Sequence, residues 1–447
     1  MKFRLLTIVL MFLQLSTFGQ TKKSTPESAL KDYIQNGDKN YQWQLKDSTV
    51  IGSVMAYHLL LTSQKWHDIT WRHQLTVFVP KDRKYQDALF FITGGSNKDE
   101  QPNWNKEDGL WPALSALAAK NKSIVSLIRQ VPNQPIFDGR VEDEIISYTL
   151  HKYKETKDHT WPLLFPMVKS AVRGMDAVQE FVKKKVDFSV NNFVVSGASK
   201  RGWTSWLSSA IDDQRVKAIA PMVIDMLNMP ATFKQQLAHY GEYSIEIEDY
   251  VKLGIPQGAG TVDGQAITTM IDPYSYRAKY TIPKMIFIGT NDPYWTVDAT
   301  KLYYNDIPGK NLLHYVPNAG HDLAGGKQAF EALSGFFANV VQGKELPLPI
   351  WTIISGKKSA ELSVKALSQD FVEATLWYTT SADRDFRNNL WLSKRVKVTD
   401  LNDIKIQQEY PKKGYSAFYL DLKYKDPSGG NYSTATRIYV LDGEKVL

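Results

Sequence analysis

The feature that most constrains the fold is a strand-to-helix corner near the middle of the chain. An apolar run passes into small residues that carry a hydroxyl, and a helix-like segment follows: Phe193-Val194-Val195-Ser196-Gly197-Ala198-Ser199-Lys200-Arg201-Gly202-Trp203. Small neighbours let a serine on a sharp turn project its Oγ from the end of a strand. The corner therefore requires a buried strand with a closely packed helix, and it makes Ser199 a candidate nucleophile.

The glycines around Ser199 depart from the usual G-x-S-x-G spacing. Gly197 lies two residues before the serine, but Gly202 lies three residues after it, so Arg201 stands where a small residue is usual. We interpret the corner as a variant of the nucleophile elbow of α/β-hydrolases. The alternative is a glycine-rich turn whose serine has no chemical role.

Short apolar runs alternate with helix-like segments along the chain, at residues 88–92, 123–128, 193–198, 216–223, 285–289 and 311–316. This alternation predicts an α/β-hydrolase fold with a doubly wound, mostly parallel sheet. Residues 41–80 alternate apolar and polar side chains, which predicts antiparallel strands at the start of the sheet. Stretches near 130–165 and 225–280 are predicted to be helical, lid-like insertions, with a surface decoration as the alternative for the first.

The sequence pattern changes after Pro347-Leu348-Pro349. Short alternating runs follow near 361–364, 373–378, 418–422 and 436–440, and they predict a C-terminal β-sandwich domain over residues 350–447. Residues 20–346 are then the α/β-hydrolase-like domain. A chain of 447 residues is long enough for two such cores.

The N-terminus has the features of a cleavable secretory signal. Two basic residues precede the apolar run 5–13, and small and polar residues follow it. The apolar run is too short to span a bilayer, so we predict cleavage near Gly19 and removal of residues 1–19. The mature protein is then expected to be secreted or periplasmic, with no membrane span.

Composition argues against several kinds of chemistry. The chain has no cysteine and therefore no disulfide, thiolate metal ligand or cysteine nucleophile. Its eight histidines show no H-x-x-x-H or H-E-x-x-H spacing, and no G-x-G-x-x-G or P-loop occurs, so we predict no metal and no cofactor. The formal net charge of +7, or +5 without the signal, is scattered, which gives no indication of nucleic-acid binding.

A serine nucleophile needs a base to take its proton and a third group to orient that base. In α/β-hydrolases these groups follow core strands in the order serine, acid, histidine. Asp292 and His321 each follow an apolar run after Ser199 and are 29 positions apart, enough for one helix and one strand. We predict Ser199 as nucleophile, His321 as base and Asp292 as acid. Three other carboxylates are rivals for the acid: Asp225, Asp298 and Asp322, the last being less suited because it adjoins the base.

The oxyanion of a tetrahedral intermediate needs N–H donors already in place. In this fold one comes from the residue after the nucleophile and another from the turn after an earlier strand. The candidates are Lys200 N–H and the turn Thr93-Gly94-Gly95-Ser96, with Gly95 and Ser96 preferred within the turn. The side chains of Lys200 and Arg201 either add positive charge at this place or are simply solvated on the helix.

Five blocks of sequence together resemble a known family. They are Gln130-Val131-Pro132-Asn133-Gln134-Pro135, Trp161-Pro162-Leu163-Leu164-Phe165-Pro166-Met167-Val168-Lys169, Ser196-Gly197-Ala198-Ser199-Lys200-Arg201-Gly202-Trp203-Thr204, Ala220-Pro221-Met222-Val223-Ile224-Asp225 and Asp383-Arg384-Asp385-Phe386-Arg387. These blocks resemble the PhoPQ-activated pathogenicity-related proteins, a family that includes secreted autocrine proliferation repressors. The resemblance covers nearly the whole mature chain. It implies a secreted α/β-hydrolase-like protein with a C-terminal β domain, without an agreed substrate.

Two more distant resemblances concern the site. The turn G-x-S-[KR]-x-G is similar to that of glucuronoyl esterases, which implies that Lys200 uses its side chain as well as its amide to hold the oxyanion. Prolyl-oligopeptidase-like peptidases share the fold and often hold a substrate's amino terminus with acidic lid residues. That likeness implies a substrate-binding role for Glu142, Asp143 or Glu144.

Together these features predict a secreted serine hydrolase that works through an acyl-enzyme. A peptidase of aminopeptidase or dipeptidyl-peptidase type and a carboxylesterase are both considered, with a peptide or small-molecule substrate. The competing hypothesis is a non-catalytic extracellular signalling or binding protein on a hydrolase scaffold. The C-terminal domain is expected either to bind a cell-surface or protein partner or to cover the core.

Overall fold

A computed structural model of the protein describes residues 24–104 and 109–447. The predicted signal peptide, residues 1–19, lies outside the described residues. The strands are β1 (Gln42–Ile51), β2 (Val54–Trp66), β3 (Ile69–Pro80), β4 (Tyr85–Ile92), β5 (Asn97–Lys98), β6 (Gln101–Pro102), β7 (Ser123–Ile128), β8 (Asn192–Ala198), β9 (Val216–Met222), β10 (Lys284–Gly289), β11 (Asn311–Val316), β12 (Ile350–Ser355), β13 (Ser359–Lys365), β14 (Phe371–Ser381), β15 (Leu392–Val396), β16 (Ile404–Glu409), β17 (Tyr415–Lys425), β18 (Asn431–Ala435) and β19 (Tyr439–Leu441).

The helices lie mostly between these strands. The α-helices are α1 (Ala29–Ile34), α2 (Leu110–Asn121), α3 (Glu142–Thr156), α4 (Leu164–Phe181), α5 (Lys200–Ser208), α6 (Met229–Tyr240), α7 (Glu248–Lys252), α8 (Val262–Ile271) and α9 (Lys327–Val341). A π-helical turn, Val182–Val186, continues α4, and short 3-10 turns occur at Ile245–Ile247, Pro273–Lys279, Ala299–Leu302, Tyr304–Asp306 and Leu323–Gly325. In the part of the chain that the structure describes, no helix combines the length and hydropathy needed to cross a membrane.

Most of the strands belong to one mixed sheet. Its order is β1-β2-β3-β7-β4-β8-β9-β10-β11-β18-β17-β14-β15, with β19 also paired to β17. The first three strands are antiparallel, whereas β7, β4, β8, β9, β10 and β11 run parallel to one another. Helices connect the parallel strands, so the predicted doubly wound sheet with an antiparallel start is confirmed.

The central strands are apolar on both faces because helices cover both sides of the sheet. Neighbouring residues of β8 show this division. Val195 packs in one buried cluster with Met175 of α4, and Val194 packs in a second cluster with Phe337 of α9. Each such side chain contributes about 1.5–3 kcal/mol when it is removed from water, and together these contacts fix the position of the strand ends.

The two stretches predicted as insertions do contain helices. The first includes α3, and the second includes α6, α7 and α8. A hydrogen bond joins them, in which the Tyr250 hydroxyl of α7 donates to Oδ1 of Asp143 in α3 at 2.9 Å. The insertions therefore support each other.

The C-terminal strands form two layers. β12, β13 and β16 make a three-stranded sheet, whereas β14, β15, β17, β18 and β19 extend the main sheet. The extension is joined to β11 through the pair Leu313 and Ala435, and Leu362 and Leu420 of the two layers share a buried cluster with α9. The layers are those of the predicted sandwich, but because the main sheet is continuous, a separate domain over 350–447 stays a prediction.

The strand predicted at 436–440 is wrong in its bounds, since β18 ends at Ala435 and β19 begins at Tyr439. Thr436 interrupts the ladder. Its N–H donates to the Leu420 carbonyl at 3.0 Å, while its hydroxyl accepts the Leu420 N–H at 3.1 Å. A side-chain oxygen thus takes the place of a main-chain acceptor.

Candidate active site

Ser199 lies at the sharp turn between β8 and α5. Its φ of 58° and ψ of −129° are strained for a residue with a Cβ. The Ser199 N–H donates to the carbonyl of Met222 at 2.9 Å, which anchors the turn to the neighbouring strand β9. Ligands of open α/β sheets bind beyond the carboxyl ends of such strands. The structure thus places Ser199 at the carboxyl end of β8, the edge of the sheet where ligands of this fold bind.

Gly202 accounts for the unusual spacing of the corner. A Cβ on Gly202 would lie 2.7 Å from the Met222 carbonyl oxygen and 3.0 Å from the Gly197 carbonyl oxygen. Side chains do not tolerate such distances, so α5 can approach β9 only with glycine here. The position before it carries Arg201, whose side chain leaves this interface and contacts other groups.

Asp292 and His321 form a hydrogen-bonded pair. Nδ1 of His321 lies 2.8 Å from Oδ2 of Asp292, and Oδ1 accepts the N–H of Tyr294 at 3.0 Å. An ionised carboxylate only accepts hydrogen bonds, so the imidazole proton belongs on Nδ1 and the lone pair on Nε2. The Tyr294 ring stacks on the His321 ring with centroids 4.1 Å apart. The His321 ring is therefore held in one orientation by the hydrogen bond to Asp292 and by stacking against Tyr294.

Ser199 lines a pocket together with Tyr294, the residue whose ring stacks on His321. Asp143 and Lys200 also line it. Among the described residues, neither Nε2 of His321 nor Oγ of Ser199 has a hydrogen-bond partner. Such catalytic bonds are often long in unliganded sites and tighten when substrate binds. Nε2 of His321 is therefore a buried nitrogen without a partner in the described structure, and Tyr294 connects its ring to the pocket that Ser199 lines.

The three rival carboxylates have other surroundings. Asp298 accepts hydrogen bonds from Gln235 and Lys301 at 2.8 Å and 2.7 Å. Asp322 caps a short turn by accepting the Ala324 N–H at 3.1 Å. Asp225 is 1 % exposed, and burial raises its pKa to about 7. Among the described contacts of these four carboxylates, the bond to the His321 ring is made by Asp292.

We expect Asp225→Asn to stabilise the protein increasingly as the pH rises from about 4 to about 7, and to retain activity within about tenfold. The folded-state pKa of about 7 exceeds the unfolded value near 3.8, so Asp225 costs stability as pH rises between these values. The gain should be on the order of 4 kcal/mol at pH 8 and should nearly vanish at pH 4. Urea unfolding at both pH values measures it, and an equal gain at pH 4 would contradict the assignment.

The predicted oxyanion turn lies beside the corner. β4 pairs with β8 up to Ile92 and Gly197, so the following residues leave the sheet next to Ser199. The carbonyls of Thr93 and Gly94 accept the N–H groups of Val131 and Gln130 at 3.2 Å each. These bonds fix the turn while leaving the Gly95 N–H outside them. The Lys200 N–H is the first of α5, and such N–H groups have no partner within a helix.

Ser96 is the less suitable of the two preferred turn residues. It is exposed, its hydroxyl accepts from Asn103 Nδ2 at 2.7 Å, and its carbonyl accepts the Asn103 N–H at 2.9 Å. Gly95 packs against the buried Gln130 side chain. The oxyanion roles of Lys200, Gly95 and Ser96 stay predictions, and this geometry favours Lys200 and Gly95.

The expectation that the Lys200 and Arg201 side chains are solvated is wrong. They are 6 % and 9 % exposed. The guanidinium of Arg201 makes a two-pronged bond to Glu142 at 2.7 Å and 2.8 Å and donates from Nε to the Val131 carbonyl at 2.6 Å. It also packs so close to Gly94 that a Cβ there would clash with it. Arg201 thereby forms a clamp that holds three segments together: the turn at residues 93–96, helix α3, and helix α5, which is called the elbow helix below.

Glu142, Asp143 and Glu144, the acidic residues of the first insertion, differ in how strongly they are engaged in ion pairs. Burial alone would raise the pKa of Glu142, but bonds and charge from Arg201 and Lys200 outweigh it and hold that pKa well below its usual range. Asp143 contacts Lys200 Nζ at 3.1 Å. Glu144 is half exposed and lies 3.5 Å from Arg140. Glu142 is therefore committed to the clamp, whereas Asp143 lines the pocket and Glu144 lies outside the clamp.

We expect Arg201→Met to lower the free energy of unfolding by about 2 kcal/mol, because it removes a bidentate bond and leaves a carboxylate with fewer partners. The value is at the lower end of the range since the Glu142 side chain is 37 % exposed. Urea unfolding measures the change. Arg395→Met is the matched control, because Arg395 is 76 % exposed in its ion pair; equal effects of both variants would refute the clamp.

A loop from the C-terminal strands supports both the acid and the base. Asn291, beside Asp292, donates from Nδ2 to the carbonyls of Arg387 and Asn389 at 3.0 Å and 2.8 Å. Asn318, three residues before His321, accepts the Trp391 N–H at 2.7 Å and donates to the Trp391 carbonyl at 3.0 Å. Sequence reasoning missed this brace, residues 386–391, although the resemblance drew attention to its first residues.

A larger cleft lies away from these residues. It has a volume of about 860 Å³ and lies between α9 and the C-terminal strands, with His314 and Trp377 in its lining. Size alone does not make it the active site, because its lining contains none of Ser199, Asp292 and His321. Within residues 24–104 and 109–447, no three histidine, aspartate or glutamate residues are grouped so as to hold a metal ion.

The fold and the site together define the class. A mostly parallel sheet with a serine on a strained turn after one central strand, and an Asp–His pair after two later strands, is the α/β-hydrolase architecture. The sequence pattern of the PhoPQ-activated pathogenicity-related proteins matches residues 30–387. The chain belongs to that family, as the sequence resemblance indicated.

Particular relatives extend over most of the chain. It is 29 % identical to autocrine proliferation repressor protein A of Dictyostelium discoideum over 455 aligned positions, covering 94 % of this chain and 89 % of that protein. Among solved structures, acetyl xylan esterase 1 of Thermoanaerobacterium aligns with 70 % of this chain and 93 % of its own, at 17 % identity and a TM-score of 0.49. An S-formylglutathione hydrolase of Agrobacterium tumefaciens aligns with 67 % of this chain and 99 % of its own, at 12 % identity and a TM-score of 0.44.

Proposed function

We propose that the protein is a secreted serine hydrolase that forms an acyl-enzyme on Ser199. The observation that carries the proposal is the 2.8 Å bond between His321 Nδ1 and Asp292. Tyr294 stacks on the His321 ring and lines a pocket together with Ser199. A hydroxyl becomes a nucleophile only when such an oriented base takes its proton. The buried aspartate then stabilises the imidazolium that forms.

The proposed reaction uses these groups in the following order. Ser199 Oγ attacks the substrate carbonyl carbon while His321 Nε2 takes the hydroxyl proton, and the carbonyl oxygen becomes an oxyanion between the N–H groups of Lys200 and Gly95. The C–O or C–N bond of the substrate then breaks, and His321 gives its proton to the leaving group. A water molecule attacks the acyl-enzyme by the same steps and releases the acid and free Ser199.

Both forms of this hydrolase remain part of the proposal. A carboxylesterase needs only the triad and the oxyanion donors. An aminopeptidase or dipeptidyl peptidase also needs an anion for the substrate's amino terminus, and Asp143 is the best placed of the three acidic residues because it lines the pocket. The C-terminal strands, besides bracing the site, are a candidate surface for a cell-surface or protein partner.

The proposal is tested by covalent labelling with a fluorophosphonate probe, which reacts with an activated serine. We expect the purified protein to be labelled in stoichiometric amount and mass spectrometry to find the adduct on Ser199. Prior heat unfolding should abolish labelling, since the reaction needs the assembled site. A folded protein that is not labelled, or is labelled at another serine, would overturn the assignment.

The second candidate is an extracellular signalling protein that keeps the hydrolase scaffold. The name of the Dictyostelium relative, an autocrine proliferation repressor, favours it. The two functions are distinguished by the same labelled protein. If labelling at Ser199 blocks ester hydrolysis but leaves a proliferation effect on cells unchanged, signalling is independent of the hydrolytic site.

A further inference from the structure

We propose that this site accepts short, uncharged acyl groups and that Phe233 sets their maximum length. The inference rests on the proposed acyl-enzyme at Ser199 and names the class of acyl group that would be attached there. It concerns the acid half of the substrate, not the leaving group, and it favours the carboxylesterase form of the proposed hydrolase over the peptidase form, whose acyl group would carry a charged amino terminus. The observations that carry it are the lining, the volume and the charge balance of the pocket beside Ser199.

The lining of the pocket is mostly apolar. Eight of its side chains are buried hydrophobic residues, among them Trp203, Ile224, Met226, Met229, Phe233 and Trp295. They come from the elbow helix, the segment after β9, α6 and the Asp292 loop. Ser199 lines the same space, and in the proposed acyl-enzyme the acyl group is bonded to its Oγ, so we assign this space to the acyl group. Apolar walls favour an apolar substituent.

The free space within the pocket is small. Its volume is about 30 Å³, room for only a few water-sized groups. A chain of about two to four carbon atoms fits such a space, and a long acyl chain does not. Each methylene group of the acyl chain that the pocket buries should favour binding by about 0.8 kcal/mol. A longer chain would contact the pocket wall and gain no further.

The charged residues at the pocket are already paired with one another. Lys200 Nζ contacts Glu142 at 2.7 Å and Asp143 at 3.1 Å. Asp143 also accepts the Tyr250 hydroxyl at 2.9 Å. A charged group on the acyl chain would have to displace one of these partners or enter the apolar part without a partner, and both are unfavourable. The acyl group is therefore uncharged.

Phe233 is the wall that a substitution can remove with least damage. It is 8 % exposed and belongs to α6, which lies in the second insertion and outside the central sheet. Its ring makes an edge contact with Tyr243, centroids 6.2 Å apart. Leu237 lies one turn later on the same helix and is 42 % exposed, so it is outside the pocket lining and offers a matched control.

The test measures kcat/KM for p-nitrophenyl esters from acetate to octanoate. We expect the highest values between acetate and butanoate and a fall of roughly tenfold or more by octanoate. The hemisuccinate ester, which matches butanoate in chain length but carries a carboxylate, should be roughly tenfold slower than butanoate. Phe233→Ala should raise the ratio of octanoate to acetate turnover by roughly tenfold, whereas Leu237→Ala should leave it within twofold.

A second variant tests the inference in case Phe233→Ala does not fold. Met229→Phe fills the pocket instead of opening it, and it should slow butanoate by roughly tenfold relative to acetate. A wild-type profile that is flat or rises with chain length, or a Phe233→Ala ratio equal to that of Leu237→Ala in folded protein, would overturn the inference while fluorophosphonate labelling persists. Loss of labelling and of all ester turnover in the wild type would instead overturn the proposed function.

Discussion

Ser199→Ala should lower kcat for p-nitrophenyl acetate by about 10⁶-fold, the size of effect that follows removal of a serine nucleophile acting as a unit with its base. The loss is large because the remaining His321 and Asp292 have no hydroxyl to activate. The fold should be kept, since Ser199 Oγ makes no hydrogen bond among the described contacts. Alanine also carries a Cβ, so it bears the same backbone strain at φ 58° as serine does. Steady-state kinetics with circular dichroism measures both.

Ser209→Ala is the matched control for this variant. Ser209 follows the same helix, α5, and donates its hydroxyl to the Trp206 carbonyl at 2.8 Å, away from the pocket lining. Its substitution should leave kcat within twofold. Full activity in Ser199→Ala would assign the reaction to another residue or to a contaminating enzyme.

Asp292→Asn is expected to lower kcat by about 10⁴-fold with little change in fold. An asparagine amide donates to Nδ1 of His321 where the carboxylate accepted from it, so the ring proton moves to Nε2. The base then points an N–H at Ser199 and cannot take its proton. Kinetics over a pH range, with the thermal unfolding temperature as a check on the fold, measures the effect.

The rival acids supply the comparison for Asp292→Asn. Asp225→Asn and Asp298→Asn should each retain activity within about tenfold, because neither carboxylate bonds the imidazole in the described structure. A greater loss from either rival than from Asp292→Asn would move the acid to that position and would require the Asp292–His321 bond to be structural.

The sequence predicted those parts of the site that depend on local pattern. Buried parallel strands are recognisable as short apolar runs, and a serine after such a run indicates the corner even when Gly202 is displaced by one position. The order of Ser199, Asp292 and His321 follows from the order of strands in the sheet. The bond between Asp292 and His321 links residues 29 positions apart through two adjacent strand ends, which the β-α-β alternation already implied.

The parts that sequence reasoning missed depend on contacts between distant segments. Arg201 looked like a solvated helix residue because its partner, Glu142, lies 59 positions away. Hydrophobic periodicity gives no information about such a pair. The arginine two residues after Ser199, where a small residue is usual, did indicate an unusual contact. The apolar pocket was missed for the same reason, since Phe233 and Trp203 come from separate segments that approach only in the folded chain.

The brace formed by residues 386–391 connects the hydrolase region to the C-terminal strands, so we expect evolution to keep the two regions together. Asn291 and Asn318 reach across 95 positions and 73 positions to bind the main chain of the brace, and the alignment of the acid and base loops depends on both. We therefore expect truncation after residue 346 to disturb the loops that carry Asp292 and His321. Selection on reaction rate is expected to act on the C-terminal strands as well, because substitutions that shift this loop alter turnover without touching the substrate.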